Sequence, residues 1–294
     1  MIVLAIFIFL GKMVWENWVQ VKEASFTIRP LPLLLSTLIF AFSYFIQIWA
    51  WYLITLKLGI ALPGWETLES WFYSQLGKYL PGKVWLLLSR FYFYESKGKS
   101  KSMISVALYV EMVTIILGAA FLFLASLLFL KEAETFPLAG GIEWIVGCLI
   151  LGFIFLHPRV LQKILNWILN LFGKEPVSLS ISYLDLMVIL LICILSWIGG
   201  GIGFSIFIHS FFSMPSQHLL FLTGALAFSS TLGLIALFAP SGLGVREGAL
   251  VYLLSSLMPG AVAVVISILT RLWMTLIEMG FIGMIYLVDL SRKK

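Results

Sequence analysis

Charge is scarce in this sequence: only 11% of its 294 residues are Asp, Glu, Lys or Arg, against about 25% in an ordinary soluble domain. Cysteine is almost absent. Cys148 and Cys193 are the two present, too few for a disulfide scaffold and too far apart for a CxxC redox or metal motif. The sequence also lacks the short glycine repeat of collagen and the polar tracts of a disordered chain. What fills it instead is apolar, with 61% of residues hydrophobic, and that composition belongs in a bilayer. About seven spans of about 20 residues would occupy roughly 140 residues, leaving short connections and no room for a separate catalytic domain. The whole of 1–294 therefore reads as one integral membrane domain, with 1–159 and 160–294 as two halves that an internal repeat would relate.

Leu31 to Leu56 runs 26 residues without a formal charge and ends in Trp49, Trp51 and Tyr52, which suit a membrane interface. Met103 to Leu130 holds one charge, Glu111, and Leu186 to Val245 holds none. The latter is too long for one helix and breaks at Ser213-Met214-Pro215, giving spans near Leu184 to Phe212 and Leu219 to Ala239. Trp144 to Leu156 and Ala261 to Leu287 complete the set, and Met1 to Trp18 reads as a first, marginal span rather than a signal peptide, because no basic n-region precedes it. Val160 to Lys174 spaces Lys163, Asn166 and Asn170 among apolar residues and predicts an interfacial helix. The expected fold is an all-α polytopic membrane protein of about seven to eight transmembrane helices.

Two segments break this pattern. Short apolar stretches flank Gly77 to Trp85, GKYLPGKVW, and neither is long enough to cross alone. Pro240 to Leu250, PSGLGVREGAL, leads into another short helix. Both predict re-entrant or half-length helices broken at Pro-Gly, which a bilayer tolerates where protein or a wet cavity surrounds the exposed backbone. An interfacial helix pair is the alternative for the first. The segment from Lys57 to Lys101 carries seven bases and three acids, 7 − 3 = +4, which places it on the cytoplasmic face facing anionic lipid. Seven full crossings would put this segment and the basic C-terminus on opposite faces, and an eighth near Gly248 to Leu257 is too short to repair that.

Glu111, Arg246, Glu247, Arg271 and Glu278 lie in apolar surroundings, where each charge costs at least about 2.5–3.5 kcal/mol unless it pairs or lines a wet cavity. Arg271 and Glu278 are two turns apart on one face, about 10 Å, so each needs another partner; Glu111 for Arg271 and Arg246 for Glu278 are the candidates. Pro81-Gly82-Lys83 precedes Arg90 as Pro240-Ser241-Gly242-Leu243-Gly244 precedes Arg246. Half-helix N-termini at such breaks attract anions, and a lipid phosphate fits. The Gly199 to Gly203 run predicts close helix packing. Lys97 to Ser100, KGKS, lacks the first glycine of a phosphate loop because Phe93 stands there, and His157, His209 and His218 have no metal-ligand spacing. No metal, nucleotide or other cofactor is expected, and nucleic acid is not an expected partner.

Gly77, Pro81-Gly82 and Arg90, followed far downstream by PSGLGVREGAL, resemble the flippase-like domain, or lysylphosphatidylglycerol synthase transmembrane region. The resemblance implies a multi-pass protein of the inner or plasma membrane that moves lipids or lipid-linked intermediates between leaflets. Members often carry a small residue where this chain has Trp85, and an acid-arginine pair with a further acid where it has Glu111, Met112 and Ile115, so Glu111 alone carries over. The synthase branch appends an aminoacyltransferase domain that this sequence does not contain, so it is not expected to make lysyl lipid by itself. The expectation is a translocator of an anionic phospholipid or lipid-linked substrate, working without nucleotide hydrolysis. Its cavity would be lined by Glu111, Arg246, Glu247, Arg271 and Glu278, with Lys78, Lys83 and Arg90 drawing in the head group. A membrane-embedded enzyme acting on lipid phosphate and a noncatalytic partner of a lipid-modifying enzyme are the alternatives.

Overall fold

The computed structural model describes residues 12, 15, 27–80, 84–128, 142–171, 176, 178–212, 216–236, 239 and 242–292. The expected first span at Met1 to Trp18 and the residues Pro81, Gly82, Lys83 and Pro240 lie outside them, apart from Lys12 and Trp15. Among the described residues the chain is all helical. Its ten α-helices are α1 (Pro30–Lys57), α2 (Gly64–Leu76), α3 (Val84–Ser96), α4 (Lys101–Leu128), α5 (Ile142–Leu156), α6 (Pro158–Leu171), α7 (Tyr183–Phe211), α8 (Leu219–Ile235), α9 (Val245–Leu254) and α10 (Gly260–Arg292). Four of them, α1, α4, α7 and α10, are long and apolar enough to cross a membrane. A fifth crossing results if α5 and α6, bent by 71° at His157, count together. The described residues thus hold four to five candidate crossings by length and apolarity, where the sequence predicts seven to eight over the whole chain; the expected first span lies outside them, and Leu219–Ile235 is a shorter apolar helix packed against α9.

Local sequence sets the long helices. Pro30 occupies the first turn of α1, where its missing N–H costs nothing, and Gly59 ends the segment at φ 72°. Ser182 and Asp185 form a reciprocal capping box at the start of α7. On α1 the residues Ser36, Phe40, Ser43, Ala50, Trp51 and Ile54 are buried, while Leu34, Leu38, Phe42 and Trp49 stay exposed on the opposite face. Such an apolar outer stripe makes sense against lipid.

Antiparallel packing of α1 on α7 forms the spine. Arg29 N–H donates to the Ser210 carbonyl at 2.9 Å at one end, and Lys57 pairs with Asp185 at 2.8 Å at the other. Glycines allow the approach: a side chain on Gly199 would meet Ser43, one on Gly203 would meet Phe40, and one on Gly201 would meet Thr223 of α8. The glycine run therefore serves close packing on two neighbours, as its spacing predicts.

Two hydrophobic clusters fill the bundle lengthwise. One gathers Trp51, Ile54, Phe72, Tyr94, Ile104 and Leu186, and the other Phe40, Phe123, Phe204, Leu250 and Val262. Since α1, α4 and α7 contribute to both, each runs the full depth, and the clusters mark its two ends. At the first end Trp65 Nε1 and the Tyr73 hydroxyl donate to Asp289 at 3.0 and 2.9 Å, and the Arg292 guanidinium lies 4.3 Å from the Trp65 ring. The end of α10 therefore lies beside the start of α2, at the same end of the bundle as the Lys57–Asp185 pair.

α2 and α3 form a hairpin that opens at this basic end, where Glu66 and Lys97 pair at 2.8 Å across its mouth. Its tip reaches Glu278, 14 residues or about 21 Å before Arg292 along α10. α8 and α9 form a second hairpin from the opposite end. The two tips meet inside the bundle. α6 lies apart, with Leu161, Leu165 and Leu169 buried and Lys163 and Trp167 exposed, the amphipathic pattern expected of an interfacial helix.

Candidate functional site

Each hairpin turns where glycine lets backbones touch. A Cβ on Gly77 would come within 2.5 Å of the Trp85 carbonyl carbon and the Leu86 nitrogen, so only glycine seats the end of α2 on the start of α3. In the second hairpin Gly242, at φ 69°, lies against Gly233, whose own Cβ would stand 2.9 Å from that of Arg246. Gly244, at φ 83°, starts α9. These contacts fold the chain back at the end of α8 and deliver Arg246 to the interior.

A cavity of about 240 Å³ lies between the tips, lined by Lys78, Val84, Leu86 and Leu87 of the first hairpin and by Gly233, Leu234 and Arg246 of the second, with Met112, Ile115, Trp197 and Thr231 around them. A second, of about 200 Å³, lies among α1, α7, α8 and α10 and is lined by Tyr44, Gln47, Trp71, Ser196, Ser230, Arg246 and Met274 among others. Ile115, Trp197, Ser230 and Arg246 line both, so Arg246 stands where the two meet.

Charge around the cavities is paired with one exception. Arg90 Nη1 bonds Glu111 at 2.6 Å, its remaining donors bond Ser74, and its guanidinium lies 4.6 Å from the Trp51 ring; both charged groups are fully buried. Lys78 pairs with Glu278, which also accepts from the Tyr44 and Tyr79 hydroxyls at 3.1 and 3.3 Å. Arg271 pairs with Glu247, whose other oxygen accepts the Gly244 N–H at 2.7 Å. Arg246 has Met274 Sδ at 3.1 Å and, among the described residues, no carboxylate in ion-pair range. Four bases against three acids leave 4 − 3 = +1 at the cavities.

These partners correct the sequence pairing. Glu111 holds Arg90 and not Arg271, and Glu278 holds Lys78 and not Arg246, because the hairpin tips bring bases to the acids before the long helices can. Nor do Glu111, Glu247, Arg271 and Glu278 line either cavity. Their charges are spent on pairs behind the walls, as is that of Arg90, and among the described residues Lys78 and Arg246 are the expected ionisable ones in the linings. One free N–H expected at the α9 terminus is likewise taken by Glu247 of the same helix, so anion attraction there falls to the Arg246 side chain.

Sequence reasoning missed Trp71 and Thr231. They carry the two buried side-chain polar atoms that lack a hydrogen-bond partner among the described residues, Nε1 and Oγ1, and each lines one of the two cavities. An aromatic or a threonine on an apolar helix gives no signal of this kind.

A family model described as the lysylphosphatidylglycerol synthase TM region matches residues 2–279. No curated protein matches the chain.

Proposed function

The chain belongs to the lysylphosphatidylglycerol synthase transmembrane-region family, an integral membrane protein related to lipid handling, and from that premise we propose that it carries an anionic lipid or lipid-linked intermediate across the bilayer without nucleotide hydrolysis. The observation that carries this reading is Arg246, a cation without a carboxylate partner at the junction of two cavities inside an otherwise charge-paired bundle. A partly buried cation with no carboxylate in ion-pair range is costly. A lipid phosphate arriving there offsets the cost and can bond the guanidinium fork in a bidentate way.

The hairpins act as two re-entrant elements entering from opposite faces, so that a head group meets a cavity from either side. Broken helices meeting near the bilayer midplane are a recurrent carrier geometry. The basic end faces the cytoplasm of a cell membrane by the charge rule, and Lys78 stands on that side of the cavity. Its pairing with Glu278 leaves it able to exchange one anion for another as a lipid passes.

The test is purified full-length protein in liposomes with leaflet-specific reporting on anionic phospholipids and an isoprenoid-linked sugar. Transbilayer movement above protein-free vesicles is the expected result. Rates equal to empty liposomes for every lipid tried would refute translocation, and cleavage or transfer products in the same vesicles would point to an enzyme.

A further inference from the structure

We infer that the paired cavities select a phosphodiester lipid whose head group beyond the phosphate is neutral and hydroxyl-rich, and reject head groups that bear an ammonium. The inference rests on the lipid-handling reading above and names the substrate class of the same site.

Two independent observations carry it. The first is charge: among the described residues neither cavity has an aspartate or glutamate in its lining, and the three nearby carboxylates are already bonded to Lys78, Arg90 and Arg271. An ammonium entering beside Arg246 would meet a like charge in a poorly solvated space, with no carboxylate in the lining to receive it.

The second observation is hydrogen-bond polarity. Trp71 is 5% exposed and its Nε1–H has no partner. An indole nitrogen can only donate, so whatever satisfies it must bring an acceptor oxygen, which an ammonium cannot do. Thr231 Oγ1, 7% exposed and equally unpartnered, lines the cavity between the hairpin tips; its hydroxyl can donate to a ligand oxygen but also accept, so the exclusion of an ammonium rests on Trp71 and on the missing carboxylates. Buried polar atoms of a native structure are nearly always satisfied, and two exceptions in the linings of two cavities that share Arg246 mark where ligand oxygens belong. Val84, Leu86 and Leu87 in the cavity between the hairpin tips suit the start of an apolar tail, whereas Gln47 and Ser196 give the second cavity neutral partners for hydroxyls.

Binding to the purified full-length protein, read by displacement of a fluorescent anionic lipid in detergent, separates this inference from transport. The probes are phosphatidylglycerol, an isoprenoid phosphate-linked sugar, phosphatidylethanolamine and lysylated phosphatidylglycerol. We expect either or both of the first two to bind about tenfold or more tighter than the ammonium-bearing pair, and the one that binds tighter identifies the source of the head group. Trp71→Phe keeps the ring and removes the donor; it should weaken the preferred lipid about fivefold while leaving apo thermal stability unchanged or raised. Thr231→Val is the parallel variant for the cavity between the hairpin tips should Trp71→Phe fail to accumulate. Equal or tighter binding of the lysylated lipid overturns the inference, as does unchanged affinity in both variants. Selective binding without movement in liposomes would overturn translocation and leave the selectivity standing.

Discussion

The two hairpins solve one problem in opposite ways. Both bury charged residues at a backbone break, yet the α2–α3 hairpin spends every described charge: Arg90 on Glu111, Ser74 and Trp51, and Lys78 on Glu278. The α8–α9 hairpin spends its acid, Glu247, on Arg271 and on its own helix start, and leaves Arg246 over. Pairing that is complete fixes a fold, whereas pairing that is one short leaves a charge for a ligand to complete. On the proposed function, the difference gives the first hairpin mainly an architectural part and the second mainly a part in recognition.

Breaking the complete side should produce the largest effect. Arg90→Ala or Glu111→Ala strands an unpaired charge that is almost fully buried, a change that costs about 3–5 kcal/mol, so each variant should fail to accumulate in the membrane. The double substitution Arg90→Met with Glu111→Gln removes both charges and should recover much of the expression. Immunoblots of membrane fractions decide between the outcomes; normal levels of Arg90→Ala would move that residue from architecture to function.

The same hairpin offers a second break that involves no charge. Gly77→Ala drives a methyl into the backbone at Trp85 and Leu86 and should lower stability by about 2–4 kcal/mol, whereas Gly64→Ala faces open space and should be neutral or slightly stabilising. Thermal unfolding of the purified variants measures the gap. Equal melting temperatures would show that the two helices do not need this approach.

Hydropathy alone made the membrane class, the long helices, the amphipathic α6 and the short helices α2, α3 and α9 legible, because each is a property of residues adjacent along the chain. The packing of the shorter helices was not. A stretch such as Leu219–Ile235 is apolar enough to read as a span, and only its packing against α9 shows that it is one arm of a hairpin. Ion pairing failed for a related reason: helical spacing tells which face Arg271 and Glu278 share, but not that a hairpin tip will present Lys78 to that face. Arg246 was legible as an anion-attracting residue from its place after Gly244, while Trp71 and Thr231 emerge only once burial and hydrogen bonds are known.

Arg246 sharpens the other side of the comparison. Arg246→Ala should reduce lipid movement by about tenfold to hundredfold, the range of a charged hydrogen bond, with normal membrane expression because no acid is left stranded in range. Arg246→Lys keeps the charge without the planar fork and should fall between. Liposome transport rates normalised to reconstituted protein provide the measurement. Failure of Arg246→Ala to accumulate, together with rescue by Glu278→Ala or Glu247→Ala, would make Arg246 a structural member of an ion network and erase the asymmetry between the hairpins.

The smallest effect is expected at the mouth of the first hairpin, where Lys97 pairs with Glu66 in solvent. That hydrogen bond raises the lysine above its ordinary 10.5. A raised lysine contributes stability that is fully present below its ordinary value and lost only as pH rises through the folded one, so no change is expected between about pH 6 and about pH 9. Screened surface pairs contribute little in any case, and Lys97→Ala should melt like the parent chain throughout that window. The position is more useful as a reporter of topology. Because the mouth of this hairpin and the end of α10 share the basic end, Lys97→Cys and Arg292→Cys should react with an impermeant thiol reagent from the same side, the cytoplasmic one. Labelling of the two from opposite sides would break the common end, and labelling of both only from outside intact cells would invert the orientation, making the α8–α9 hairpin and its Arg246 the entry from the cytoplasm.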